Sequence, residues 1–246
     1  MARTFYLLGL LLLLSTCKKA DDRPCIKGSG DAITETRHPG AFHSLMLYDD
    51  IDYDLIQDST DKVVIECGEN LVNFVSTEID NGVLSIRDEN SCHWLRSLPV
   101  KIKVRVHFTQ LASIRNEGSG ILRTVGAMEQ EVIVFDNYHS ASENYLEIKA
   151  QEATIRINAG GPVIEVKGES HHVNLRNSGI GKLHAEELVS HSVWADNQGH
   201  GTIRTTVDGG LFWYLLDGYG DIYYRGEVEE YIEVSRTGEG ELILME

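Results

Sequence analysis

The sequence predicts an all-β chain, a β-solenoid behind a strand-rich N-terminal cap, and three observations predict it. The chain holds 23 glycines and only 4 prolines, with Val, Ile and Thr spread throughout. That composition describes many short strands joined by tight turns. Small Asn/Gly turns then recur through the second half with a period of about 20 residues, in the range of solenoid coils. Apolar residues fall in register beside those turns, which marks an interior. With 42% hydrophobic residues the 246-residue chain can bury a sizeable core. Lys and Arg number 22 against 38 Asp and Glu, a formal charge of −16, with no basic cluster. Such a surface repels phosphate backbones, so nucleic acid is excluded as an expected partner.

Residues 1–16 read as a leader. One charge, Arg3, precedes an apolar run from Phe5 to Leu14. That run is about ten residues, too short to span a bilayer core needing roughly 20. It ends in Leu14-Ser15-Thr16-Cys17, which resembles the lipobox of bacterial lipoproteins, where the cysteine is acylated. Thr16 departs from the small residue usual before that cysteine. The alternative is a secretory signal cut near Ala20. Acyl chains on Cys17 would tether the protein to a membrane without embedding it. The tether is residues 17–27, and its Lys18, Lys19, Asp21 and Asp22 resemble the export signals of some outer-membrane lipoproteins.

Three further cysteines remain, so one is unpaired. In Val63-Val64-Ile65-Glu66-Cys67 the alternation places Val63, Ile65 and Cys67 on one apolar face, so Cys67 is expected in the core. Cys25 and Cys92 lie in polar segments and are the expected disulfide pair in an exported protein. The region 28–110 is strand-rich but less periodic than the remainder of the chain. Asn81-Gly82 between strand-like flanks is a hairpin signal. This region is expected to cap the first coil of a solenoid spanning residues 111–246.

The turns of that solenoid begin at Asn116, Asn137, Asn158, Asn177, Asn197, Leu216 and Arg236. Six positions after these residues stand Leu122, Ile164, Leu183, Ile203, Ile222 and Leu242; the coil from Asn137 reaches Leu146 only with three extra residues. Two positions before stand Ile114, Phe135, Leu175, Ala195, Tyr214 and Val234, and four before stand Ile133, Val173, Val193, Phe212 and Ile232. The coil ending at Asn158 breaks register, with Ile155 and Ile157 one residue later. Asn and Gly are expected in the turns for their tolerance of left-handed backbone angles. Each coil should pair in parallel with the next.

The lipobox, Gly28-Ser29-Gly30, Thr34-Glu35-Thr36-Arg37, Glu69-Asn70-Leu71, Gly82-Val83-Leu84-Ser85-Ile86 and the Gly-x-Gly turns together resemble the putative auto-transporter adhesin, head GIN domain family. The resemblance covers nearly all of the mature chain. It implies a right-handed parallel β-helix in a cell-envelope lipoprotein, an adhesin-like role, and no catalytic residues. His139 and Gly161-Pro162 depart from the Gly-x-Gly pattern.

No cofactor is expected, and no enzyme. The short connections leave little material for a cleft, and no Ser, His, Asp constellation has motif support. Asp49, Asp50, Asp52, Asp54, Asp58 and Asp61 invite a calcium reading, but no central Gly closes a loop around them. They read as a solvated strand face. His171, His172, His184, His191 and His200 are read as scattered, with no stacked pair at one repeat position and hence no metal site.

The aromatic residues carry the functional expectation. Trp194 and Trp213 each lie three positions before their turn, between inward columns, and should face outward on adjacent coils about 5 Å apart. With Tyr219 in a turn and Tyr223 between Ile222 and Tyr224, they are expected to form a binding platform for a glycan or an envelope protein. A ladder that merely stabilises the stack remains open. The rival readings are a structural spacer that self-associates through its ends, and a carbohydrate-active enzyme.

Overall fold

The computed structural model describes residues 28–90, 101–138 and 141–246. Cys17, Cys25, Cys92 and the leader lie outside the described residues, and so do the expected lipid anchor and disulfide. Among the described residues there are sixteen strands: β1 (Ala32–Arg37), β2 (Ser44–Leu47), β3 (Asp52–Gln57), β4 (Lys62–Gly68), β5 (Val75–Asp80), β6 (Val83–Asp88), β7 (Lys103–Phe108), β8 (Ser113–Asn116), β9 (Ile121–Thr124), β10 (Met128–Asn137), β11 (Glu143–Ile157), β12 (Val163–Asn177), β13 (Lys182–Asn197), β14 (Thr202–Leu216), β15 (Ile222–Ser235) and β16 (Leu242–Leu244). They form one curled sheet, a parallel β-helix of stacked coils, as the repeat predicts.

Two parallel ladders build it. One face stacks β6, β2, β8 and β10, and the other stacks β7, β3, β9 and β11. From β11 onward a single long strand bends to supply both faces of its coil. The parallel ladders therefore reach back to residue 44. Coil order also departs from chain order: β2 and β3 sit between β6 and β7 on one side and β8 and β9 on the other. The end is closed by antiparallel strands, β1 on β4, β4 on β7, and β5 on β6. The β5–β6 hairpin turns at Asn81 and Gly82, with φ of 49° and 76°, the double left-handed turn that Asn-Gly favours.

Inward columns are apolar and buried. Ile133, Ala153, Val173, Val193 and Phe212 form one column, and Ile114, Phe135, Ile155, Leu175 and Ala195 the next. Fully burying a Val, Leu, Ile or Phe side chain contributes about 1.5–3 kcal/mol. Cys67 is 1% exposed, in the core as its alternation predicts, and burial pushes its thiol pKa up.

Three register expectations are corrected. The coil thought to break register does not: Asn137 pairs with Ile157 and Ile157 with Asn177, so Ile157, not Asn158, leads that turn. On the coil from Asn137, the column position between Leu122 and Ile164 is filled by buried Asn144 rather than Leu146. On the last coil an irregular register places Tyr231 opposite Phe212 and sends Ile232 to the outer side opposite Trp213. Val234 is then 46% exposed.

Most turn glycines serve close packing rather than left-handed angles, Gly160 with φ 84° being an exception. Gly179, Gly181, Gly199, Gly201, Gly218 and Gly220 are absent from the positive-φ positions. At Gly220 a Cβ would strike the Gly201 carbonyl of the preceding coil, and at Gly201 it would strike the Gly181 carbonyl. The stack can close to one strand spacing only where these side chains are missing. The same turns are held from inside by buried asparagines, Asn177 and Asn197, both 0% exposed.

Candidate binding surface

Register places Trp194 directly opposite Trp213 on neighbouring coils. Their chain neighbours Val193, Ala195 and Phe212 point inward and are buried, so the alternation turns both indoles outward. The rings are stacked, with centroids 6.3 Å apart and an interplanar angle of 28°. His172 meets Trp213 edge-on at 6.0 Å, and burial lowers its pKa. Asn174 and half-buried Ile232 extend this outer column on either side.

Tyr219 and Tyr223 do not join that strip. Tyr219 stands at the turn, 60% exposed, and stacks on His200 of the coil before at 4.7 Å. Tyr223 lies beyond the turn on the opposite ladder, opposite Arg204. Its hydroxyl donates to Asp221 at 3.2 Å, and the Arg204 guanidinium sits 5.3 Å from its ring. The single platform expected from sequence is thus two surfaces joined by an aromatic turn. Offsets from the turn located the Trp pair, but the sharp turn between Leu216 and Ile222 separates Tyr223 from it.

The histidine expectation also changes. His171 and His191 stack at 5.1 Å with an 11° interplanar angle, on adjacent coils at one repeat position. Parallel stacking does not converge nitrogens on one point, and among the described residues no group of three metal-ligating side chains is found. The carboxylates between Asp50 and Asp58 are matched by lysines and one histidine instead. Lys101 bridges Asp50 and Asp52 at 3.3 and 2.8 Å, Lys103 reaches Asp54 at 2.6 Å, and Lys62 and His107 reach Asp58 at 3.2 and 2.9 Å.

A family model for the putative auto-transporter adhesin, head GIN domain, matches residues 41–228. The chain belongs to that family. Solved structures share the head GIN chain's fold. A putative adhesin from Bacteroides fragilis NCTC 9343 aligns with a TM-score of 0.80 at 17% identity, over 87% of this chain and 97% of that one. A putative adhesin from Parabacteroides merdae ATCC 43184 aligns at 0.67 and 16% identity, over 89% and 98%. A structure from Parabacteroides distasonis ATCC 8503, described as a putative lipid binding protein, aligns at 0.63 and 17% identity, over 89% and 98%. At such identities the likeness shows the fold alone. Among curated proteins none shows significant sequence similarity to the chain.

On the second ladder the head GIN chain joins Tyr223 and His184 to four residues that sequence reasoning passed over, Arg123, Tyr145, Glu165 and Arg204. Arg123, Tyr145, Glu165, His184, Arg204 and Tyr223 form one outer column, paired coil by coil. Beside it opens a cavity of about 440 Å³. The signal was present in the sequence, since each of these residues follows a column residue such as Leu122, Asn144 or Ile164. It was masked by Asn144, a polar residue in an apolar column.

Proposed function

We propose that the chain is a non-enzymatic, lipid-anchored protein of the cell envelope whose rigid β-helix presents an adhesive face. The single observation that carries this reading is the Trp194–Trp213 stack. Two large indoles stand partly exposed on a strand face, where a soluble rod would be better served by charged residues. Adhesin names in the family and among the structural neighbours agree with it. The anchor rests on the lipobox ending at Cys17. A disulfide between Cys25 and Cys92 would leave Cys67 as the spare, buried thiol.

Self-assembly through the open end is a weaker reading. Tyr231, Val234 and Leu244 are 49%, 46% and 63% exposed there, but Glu227, Glu229, Glu230 and Glu233 lie along the same strand, β15. Like charges on an edge strand oppose pairing with another copy.

The reading is tested in two steps. Cys17→Ser should move the protein from the membrane fraction to the soluble fraction, and continued sedimentation with membranes would remove the anchor. Purified protein should then bind immobilised glycans or intact bacterial cells, and an absence of binding to all of them would remove the adhesive role.

A further inference from the structure

We propose that the second ladder carries a binding site for a neutral oligosaccharide, seated in the cavity lined by Arg123, Tyr145, Glu165, Lys167, His184 and Glu186. The site goes beyond the adhesive strip, which lies on the other ladder, and does not depend on it.

A local irregularity builds the site. Glu165 pairs with His184, yet Lys167 pairs with Glu187, so β13 carries one more residue than β12 across this step. Against β14 the excess is larger, since Ala185 pairs with Thr205 and Val189 with Thr206. Extra residues bulge a strand and re-aim its side chains. Here Glu186 has no register partner on either side, and its carbonyl is held by side chains. That carbonyl accepts from the Thr206 hydroxyl at 2.7 Å and from the Arg225 guanidinium at 2.7 Å. The bulge is therefore fixed rather than loose.

The side chain it re-aims is unfinished. Oε1 of Glu186 lies 3.8 Å from Arg204, while Oε2 is shielded and has no hydrogen-bond partner among the described residues, in a side chain still 24% exposed. A shielded carboxylate oxygen without a donor is costly. Turning the carboxylate toward the cavity would let a ligand hydroxyl supply that donor.

The chemistry of the lining selects the ligand class. Lys167 is already paired with Glu147 at 3.1 Å, and the Arg123 guanidinium sits 5.5 Å from the Tyr145 ring. Glu147, Glu165, Glu186 and Glu187 outnumber Arg123 and Lys167 in the lining, which opposes a strongly anionic ligand, while Lys167 and Arg204 already neutralise Glu147 and Glu186 and weaken the pull on a cationic peptide. Sugar hydroxyls both donate and accept, and a sugar face packs on an aromatic ring. The volume of about 440 Å³ falls in the range of roughly 300–1,000 Å³ typical of small-ligand sites. From Arg123 to His184 the column spans four coils, three steps of about 4.8 Å each, which favours an elongated ligand lying along the stack.

The test is calorimetric titration of the full chain in mild detergent with cellohexaose, maltohexaose, mannohexaose and chitohexaose, beside hexalysine and a galacturonate hexamer. At least one neutral oligosaccharide should bind, and Tyr145→Ala or Glu186→Gln should weaken it about tenfold or more. Trp194→Ala/Trp213→Ala should leave that affinity unchanged, which separates this site from the adhesive strip. Should either variant fail to fold, hydrogen exchange on the wild type with bound sugar must show protection in residues 143–147 and 182–187. Binding of none of the neutral sugars, preference for either charged probe, unchanged affinity in folded variants, or protection elsewhere would overturn the proposal.

Discussion

The side-chain amide of Asn197 donates to the Gly201 carbonyl at 2.9 Å, and its oxygen accepts from the Gly199 N–H at 3.2 Å. One buried side chain thus closes a whole turn. Asn177 repeats this one coil earlier, donating to Gly181 at 2.9 Å and accepting from Gly179 at 3.0 Å. Asn197→Ala takes the donor from the buried Gly201 carbonyl, while the Gly199 N–H keeps the Asn177 carbonyl at 3.0 Å, at a cost of about 1–3 kcal/mol. Thermal unfolding should show Tm lowered by about 2–4 °C for each kcal/mol. An unchanged Tm would mean that water replaces the amide.

Gly220→Ala should destabilise more than Gly126→Ala. At Gly220 the added carbon meets the Gly201 carbonyl of the adjacent coil, whereas at Gly126 nothing lies within 4 Å and the cost is only that of φ 81°. Overpacking of this kind costs about 1–3 kcal/mol or more. Denaturant midpoints for the two variants check the order.

Acid should weaken the cap through Asp58. The Ser59 N–H, then the His107 ring and the Lys62 ammonium, hold its carboxyl below the ordinary value of 3.8. A folded-state value below the unfolded one adds stability that is present above about pH 3.8 and is lost as pH falls through the folded value. Asp58→Asn should therefore be less stable than wild type at neutral pH, with the gap narrowing as pH drops below about 3.8. A gap independent of pH would show that the carboxylate contributes nothing through its charge.

Much of the fold was legible because the coil repeats one physical demand. A core position needs an apolar side chain and a stacked turn needs no side chain, and both recur once in every coil. The reading slipped where a coil met that demand differently. Asn144 fills an apolar column with a hydrogen-bonded amide, its Nδ2 donating to Ser142 at 2.9 Å. Ile157 leads a turn where asparagine was expected, so the asparagine one residue later was mistaken for the turn's start.

The surface was less legible for a related reason. Equal offsets in adjacent coils put Trp194 opposite Trp213, and arithmetic alone finds them. The bulge at Glu186 comes from a mismatch in residue number between neighbouring strands, which appears only when both registers are known. Coil order in the N-terminal region was hidden too, because β2 pairs with both β6 and β8 although neither is its neighbour in sequence.

The proposed adhesive strip is tested most directly by binding of the Trp194→Ala/Trp213→Ala variant to the intact cells that retain the wild type, with the second-ladder site saturated by neutral hexasaccharide and with Tm measured on the same samples. Losing the stack removes about 0.5–1.5 kcal/mol of ring contact together with some half-buried area, so the variant should stay folded with Tm lowered by a few degrees. Binding should fall by about tenfold or more, as removal of aromatic anchors does. Undiminished binding by the folded variant would contradict the account, and so would a collapse of the fold, which would make the two indoles a structural ladder.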